Sequence, residues 1–198
     1  MPYVNRDGVN IYYESYGSGL PIVFLHPWST NRYIWTFQLL EFAKTHQCIV
    51  EDHRGHGLSD KPETGYGVTE MAADVIAILD DAGIDRAILV GNSIGGMSAM
   101  QTSLDAPDRV IGNLILSSGT NLAAGTPPEV AEAMQQDWRG VFSGLLDAAI
   151  SAKSKAERPE ILAYADGCFR VDDNFTEKVF WASMACLLYT SPSPRDRG

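Results

Sequence analysis

Two kinds of apolar pattern alternate along the first 120 residues. One is the short unbroken run: Pro21-Ile22-Val23-Phe24-Leu25, Gln47 to Glu51, Ala87 to Val90 and Val110 to Ser117. A run without a polar face suits a strand covered on both sides. The other is the helical spacing of Asn31 to Lys44 (Trp35, Leu39, Leu40, Phe42), Val68 to Ala82 (Met71, Val75, Ile78, Leu79) and Ile94 to Ala106. Each predicts a helix with one buried face. Ahead of them, Asn10 to Tyr16 is β-rich and follows the turn signal Arg6-Asp7-Gly8, which predicts an antiparallel hairpin. Strands alternating with helices predict an α/β fold with a mostly parallel sheet. After Ser118 the pattern changes. Pro127 to Ala152 reads as one long helical stretch, with Val130, Met134, Trp138, Val141, Phe142, Leu145 and Leu146, and shorter ones follow around Ile161 and Phe180. The expected division is a core over residues 1–120 and a helical cap region over residues 121–185, without internal repeats.

Composition narrows the class. At 198 residues, 45% hydrophobic and 20% charged, the chain suits one globular domain with a core that needs no disulfides. A net charge of −10 argues against nucleic acid or an anionic membrane as partner, since both call for a basic surface. Three widely spaced cysteines, Cys48, Cys168 and Cys186, suit reduced thiols. With no apolar leader at Met1 to Gly8 and no run long enough to span a membrane, a cytoplasmic location is expected. The stretch Cys186-Leu187-Leu188-Tyr189-Thr190-Ser191-Pro192-Ser193-Pro194-Arg195-Asp196 looks like the in-frame translation of a transposase adapter used in sequencing libraries. A natural disordered tail is the alternative. On the first reading residues 186–198 are not native, and the natural protein continues differently after Ala185.

The chemistry concentrates at Leu89-Val90-Gly91-Asn92-Ser93-Ile94-Gly95-Gly96. An apolar strand runs into Gly-x-Ser-x-Gly and then into a helix, the setting in which a serine becomes a nucleophile. A serine on such a turn is held in a strained conformation, and its neighbours two positions away must be small. Gly91 and Gly95 meet that demand, and Gly96 allows the helix to pack on the strand. The N–H of Ile94, at the helix start, would face an oxyanion formed on Ser93. Other glycine motifs fail: Met97 stands where a phosphate loop needs lysine, and Asp60 where a dinucleotide loop beginning at Gly55 needs glycine.

These segments in this order resemble the α/β-hydrolase superfamily: a strand, His26-Pro27-Trp28, then Asp52-His53-Arg54-Gly55-His56-Gly57-Leu58-Ser59-Asp60, then Gly91-x-Ser93-x-Gly95. The resemblance is strongest to small bacterial esterases, cofactor-free haloperoxidases and enol-lactonases. It covers residues 9 to about 120 well and the helical region loosely. It implies an α/β-hydrolase fold, Ser93 as nucleophile, and a second oxyanion donor from the N–H of Trp28. The family's glycine in that loop is Pro27 here. Proline lacks an N–H, but the donor needed belongs to Trp28.

Asp52 to Asp60 reads as a structural loop, with glycines at positive φ and Arg54 and Asp60 paired internally. His53 and His56 are a weak metal signal, and no metal or other cofactor is expected. Cys48, in an apolar strand, reads as an inert thiol. The four histidines, His26, His46, His53 and His56, all precede Ser93. The superfamily order is serine, acid, histidine. Ser117-Ser118-Gly119-Thr120-Asn121, after the next strand, contains no carboxylate. The triad acid and histidine are therefore expected outside this sequence, leaving the strand Val110 to Ser117 as a bare sheet edge. The leading expectation is a serine hydrolase acting on a small-molecule ester or lactone. Hydrolysis of a carbon–carbon bond in ring-cleavage products and non-catalytic ligand binding are the alternatives.

Overall fold

The computed structural model describes residues 3–120 and 128–170 and positions 179 and 182. Six strands form one sheet: β1 (Tyr3–Arg6), β2 (Val9–Tyr16), β3 (Leu20–Leu25), β4 (His46–Asp52), β5 (Ala87–Asn92) and β6 (Val110–Leu116). Their spatial order is β1-β2-β4-β3-β5-β6, with β1 and β2 antiparallel and the other four parallel to one another. The hairpin turns at Asp7 and Gly8, both at positive φ (53° and 85°), the backbone that a two-residue turn between twisted strands requires.

Both faces of the parallel part are covered, because successive side chains of each run point to opposite sides. Val23, Leu25, Ile49, Ala87 and Leu89 meet Val75, Ile78 and Leu79 of α2 (Val68–Asp81) and Ala99 of α3 (Ile94–Asp105). Ile22, Phe24, Cys48, Val50 and Val90 meet Trp35 on the other face, with Leu39 of α1 (Thr36–Phe42) alongside. Burying each such side chain contributes about 1.5–3 kcal/mol.

Two predicted helices are shorter than expected. The stretch from Asn31 begins as a 3-10 turn, Arg32–Trp35, because the Asn31 side chain accepts the Tyr33 N–H, and α1 runs only from Thr36 to Phe42. The long stretch after Pro127 is broken. α4 (Pro128–Ala149) bends at Asp137 (φ −152°, ψ 78°), whose carboxylate accepts the Gly140 N–H at 2.9 Å and caps the second half. Ser151 then caps α5 (Ala152–Glu157), and α6 (Pro159–Arg170) follows, in the place expected around Ile161. The helix expected around Phe180 and the adapter-like segment at 186–198 lie outside the described residues, apart from helical positions 179 and 182. Among the described residues, no helix is long and apolar enough to cross a membrane.

Candidate active site

β5 ends at Asn92, α3 begins at Ile94, and Ser93 is the single residue between them. Its backbone has φ 53° and ψ −117°, a conformation that side-chain-bearing residues rarely adopt. The neighbours hold it there. Ser93 N–H donates to the Leu116 carbonyl at 3.0 Å, and its own carbonyl accepts the N–H groups of Gly96 and Met97 and the hydroxyl of Ser118, the last at 2.5 Å. The three glycines are required by contact. A Cβ on Gly91 would strike the backbone of Gly95, and one on Gly95 would strike the carbonyls of Leu25 and His26. On Gly96 it would press into Ser118 and Ile115. Ser118, assigned no role from sequence, thus braces the turn from the end of β6. Asn92 closes the strand, half-buried and paired in register with Leu116.

The same close approach places the second loop beside Ser93. Because α3 packs its Gly95 on the backbone of Leu25 and His26, the segment His26-Pro27-Trp28-Ser29 borders the turn. The side chains of Trp28 and Ile94 share one buried cluster with Tyr66, Met71, Met134 and Val179. Trp138 of α4 packs against it, its ring 6.4 Å from that of Trp28. Ile94 begins its helix, so its N–H belongs to the set that has no carbonyl four residues back. Trp28, Ile94 and Ser93 are therefore brought together at the carboxyl ends of β3 and β5, where parallel α/β sheets place their ligands.

The early histidines lie beneath this loop, buried and engaged. His53 donates its backbone N–H to His26 Nε2 at 2.9 Å, and its ring Nε2 lies 3.0 Å from the His26 carbonyl. His26 Nδ1 faces the Pro27 carbonyl at 2.7 Å. His56 Nε2 accepts the Ser29 N–H at 3.1 Å while its Nδ1 faces the Arg54 carbonyl. These partners set the protons: His26 and His56 each accept at Nε2 and are neutral. Burial, reinforced by the positive field of His53, pushes His26 well below the usual imidazole range and His56 down to about 3. His53 differs. Burial opposes its charge, but Glu51, with Oε1 2.9 Å from His53 Nδ1, outweighs it and the pKa is raised. Burial raises Glu51 as well.

Among the described residues, His26, Glu51 and His53 offer ligand-type atoms within 4.8 Å of one another and are the group that could hold a metal ion. This is not the His53–His56 pair singled out in the sequence. Every ring nitrogen of the trio already faces a hydrogen-bond partner. His46, the fourth histidine, starts β4, whereas Ser93 follows the far end of β5, a strand length of roughly 20 Å away.

The loop from Asp52 to Asp60 has glycines at positive φ, Gly55 (84°) and Gly57 (47°). Its expected internal Arg54–Asp60 pair is not formed. Arg54 instead makes two bonds, of 2.6 and 2.7 Å, to Asp74 of α2, and Asp60 accepts from the backbone and side chain of Asn10. The reason is distance along the chain: α2 returns across the loop and presents a buried carboxylate that no local pattern announces. Cys48 is fully buried, and burial raises its thiol pKa.

Three comparisons bear on this arrangement. A non-heme chloroperoxidase of Streptomyces lividans is 37% identical over 116 residues, 57% of this chain and 42% of that protein. An AB hydrolase superfamily protein of Bacillus subtilis, YisY, is 34% identical over 160 residues, 80% of this chain and 56% of that protein. The chain thus spans about half the length of these curated relatives. A solved structure of Est816, described as an N-acyl homoserine lactone degrading enzyme, superposes with a TM-score of 0.87 at 61% identity, over 93% of this chain and 71% of that one. The family model for the alpha/beta hydrolase fold matches residues 21–161, well over half of the sequence. By sequence and by fold, the chain belongs to the α/β-hydrolase family.

Proposed function

We propose that this chain carries the nucleophile, the oxyanion hole and the cap (residues 121–185) of a serine hydrolase that opens a small carboxylic ester or lactone. The observation that carries the reading is Ser93 at positive φ between β5 and α3, with Ile94 and Trp28 beside it. Ser93 Oγ attacks the substrate carbonyl carbon as a base removes its proton. The C=O pair moves onto oxygen, and the N–H groups of Ile94 and Trp28 stabilise the resulting oxyanion. Collapse expels the alcohol, or the ring hydroxyl of a lactone, which takes up the proton. Water then attacks the acyl-serine by the same route and releases the acid.

The base is not one of the four histidines of this sequence. Three are committed beneath the oxyanion loop, and His46 is at the wrong end of the sheet. The acid and histidine of the triad therefore come from sequence beyond these 198 residues, in keeping with the greater length of the relatives. Among substrates, the 61% identity to a lactone-degrading enzyme favours N-acyl homoserine lactones. α4 lays Met134 and Trp138 against Trp28 and Ile94, so the side chains that border the turn from the cap are apolar, as a fatty acyl chain requires.

The test is made on the full-length protein containing this chain, with an acyl homoserine lactone and a nitrophenyl ester as substrates. Ser93→Ala is expected to lower kcat roughly ten-thousand-fold or more on both. Retention of the parent rate on either would refute Ser93 as the nucleophile.

A further inference from the structure

The oxyanion loop holds itself only at the Pro27 carbonyl. Pro27 has no N–H to donate, and Ser29 sits at positive φ (59°) without the freedom of a glycine. A loop with such a backbone needs fixing from outside, and the structure shows where the fixing comes from. The carbonyl before Pro27, that of His26, faces His53 Nε2 at 3.0 Å. The peptide N–H after Trp28, that of Ser29, donates to His56 Nε2 at 3.1 Å. One imidazole therefore gives a hydrogen bond to the loop on one side of Trp28, and another takes one from it on the other side. The Pro27 carbonyl is tied separately, by the Thr30 hydroxyl at 2.7 Å and the His26 ring.

We propose that His53 and His56 are positioning residues for catalysis, two imidazoles that clamp the peptides on either side of the Pro27-Trp28 unit and so aim the Trp28 N–H at the oxyanion formed on Ser93. Glu51 belongs to the device. Its carboxylate, 2.9 Å from His53 Nδ1, favours the charged imidazolium, in which Nδ1–H faces Glu51 and Nε2–H remains to donate to the His26 carbonyl. The backbone N–H of His53, bonded to His26 Nε2, closes the set and ties the loop after β4 to the loop after β3. The metal-ligand atoms gathered here are, on this view, a hydrogen-bonded frame.

The inference rests on the serine-hydrolase reading, and its test separates the two. In the full-length protein, His56→Gln keeps an acceptor where Nε2 stood, whereas His56→Asn keeps only a group where Nδ1 stood and releases the Ser29 N–H. On a substrate whose acylation limits the rate, His56→Asn is expected to lower kcat about 30- to 100-fold. That is somewhat less than outright loss of an oxyanion donor. KM should change by less than about threefold, since ground-state binding is untouched. Affinity for a boronate transition-state analogue should fall in step with kcat, and His56→Gln should recover most of both. At position 53, Gln keeps a donor for the His26 carbonyl and should retain activity, while Met should not.

Equal kcat for the Asn and Gln variants of His56, with only melting temperature altered, would overturn the clamp while leaving Ser93 in place. Ser93→Ala at full activity would overturn the hydrolase reading itself. Should the Asn variant fail to fold, nitrogen-15 NMR of the unmutated protein decides. A neutral His56 protonated at Nδ1 is expected, and protonation at Nε2 excludes an acceptor for Ser29.

Discussion

His26 and His56 couple the loop's geometry to proton activity. Both are neutral because each accepts a backbone N–H at Nε2 in a fully buried site, and protonation would turn that acceptor into a donor facing a donor. Their folded pKa values lie below the unfolded imidazole value of roughly 6.5, that of His56 at about 3. The unfolded chain therefore binds more protons below pH 6.5. The stability these two contribute is complete above 6.5 and is lost as the pH falls from there toward 3. His53, with its pKa raised beside Glu51, has the opposite sign: its contribution is complete below 6.5 and lost as the pH rises through its folded value. Between pH 6.5 and 4.5 His56 should lower the unfolding free energy by up to about 1.4 kcal/mol per pH unit, and His26 acts in the same direction. Denaturant titrations at several pH values measure the slope, and His56→Gln should make it shallower by the share His56 contributes. A slope unchanged by that substitution would mean that His56 is not buried and neutral.

At the level of elements, the parts that were legible in the sequence are those whose cause is local. The run Ala87 to Val90, the small residues at Gly91, Gly95 and Gly96, and the helical spacing after Ile94 all act within a dozen positions, and β5, the turn and α3 follow from them. The break at Asp137 was also local but hidden, because apolar spacing continues through it while a single carboxylate caps a new start. What the sequence could not show is which carboxylate meets which arginine. Asp74 sits on the buried face of α2 and takes Arg54 from the loop and Arg6 from β1, at 2.6 Å each. Tertiary packing, which lays α2 over the loop and β1, makes that contact. Strand order makes the meeting of His26 with Glu51 and His53, since β3 and β4 are neighbours in the sheet. The charges are unequal in consequence. Removing Asp74 strands Arg54, whose side chain is 4% exposed, and Asp74→Asn should cost about 3–5 kcal/mol. Removing Asp80, which is 62% exposed opposite Arg109, should cost under about 1 kcal/mol. Chemical denaturation of the two variants side by side measures the contrast, and equal losses would refute the assignment of Asp74 as the tie between α2, the loop and β1.

For the molecule as a whole, the sheet's two edges differ in kind. The β1 edge is short and carries the polar residues Asn5 and Arg6. The β6 edge pairs with β5 on one side only among the described residues, and along it Ile111 (43%), Leu114 (52%) and Leu116 (37%) are exposed. Unpaired N–H and C=O groups beside exposed aliphatic side chains are a template for another strand. Phe37 and Leu40 of α1 add exposed apolar area elsewhere. A net charge of −10 opposes association, but its reach is limited. At physiological ionic strength charges farther apart than about 8 Å are largely screened, whereas strand pairing and apolar burial act at contact. Attraction at the edge should therefore win once salt is present. The 198-residue chain is expected to form concentration-dependent oligomers in sedimentation velocity, and added salt should promote them by screening the acidic surface. Leu114→Lys, a charge placed on the edge itself, should shift the distribution toward monomer, and a charge at Leu40 should do so less. A monodisperse monomer across the salt range, or equal relief from both substitutions, would show that β6 is not the surface through which copies of this chain meet.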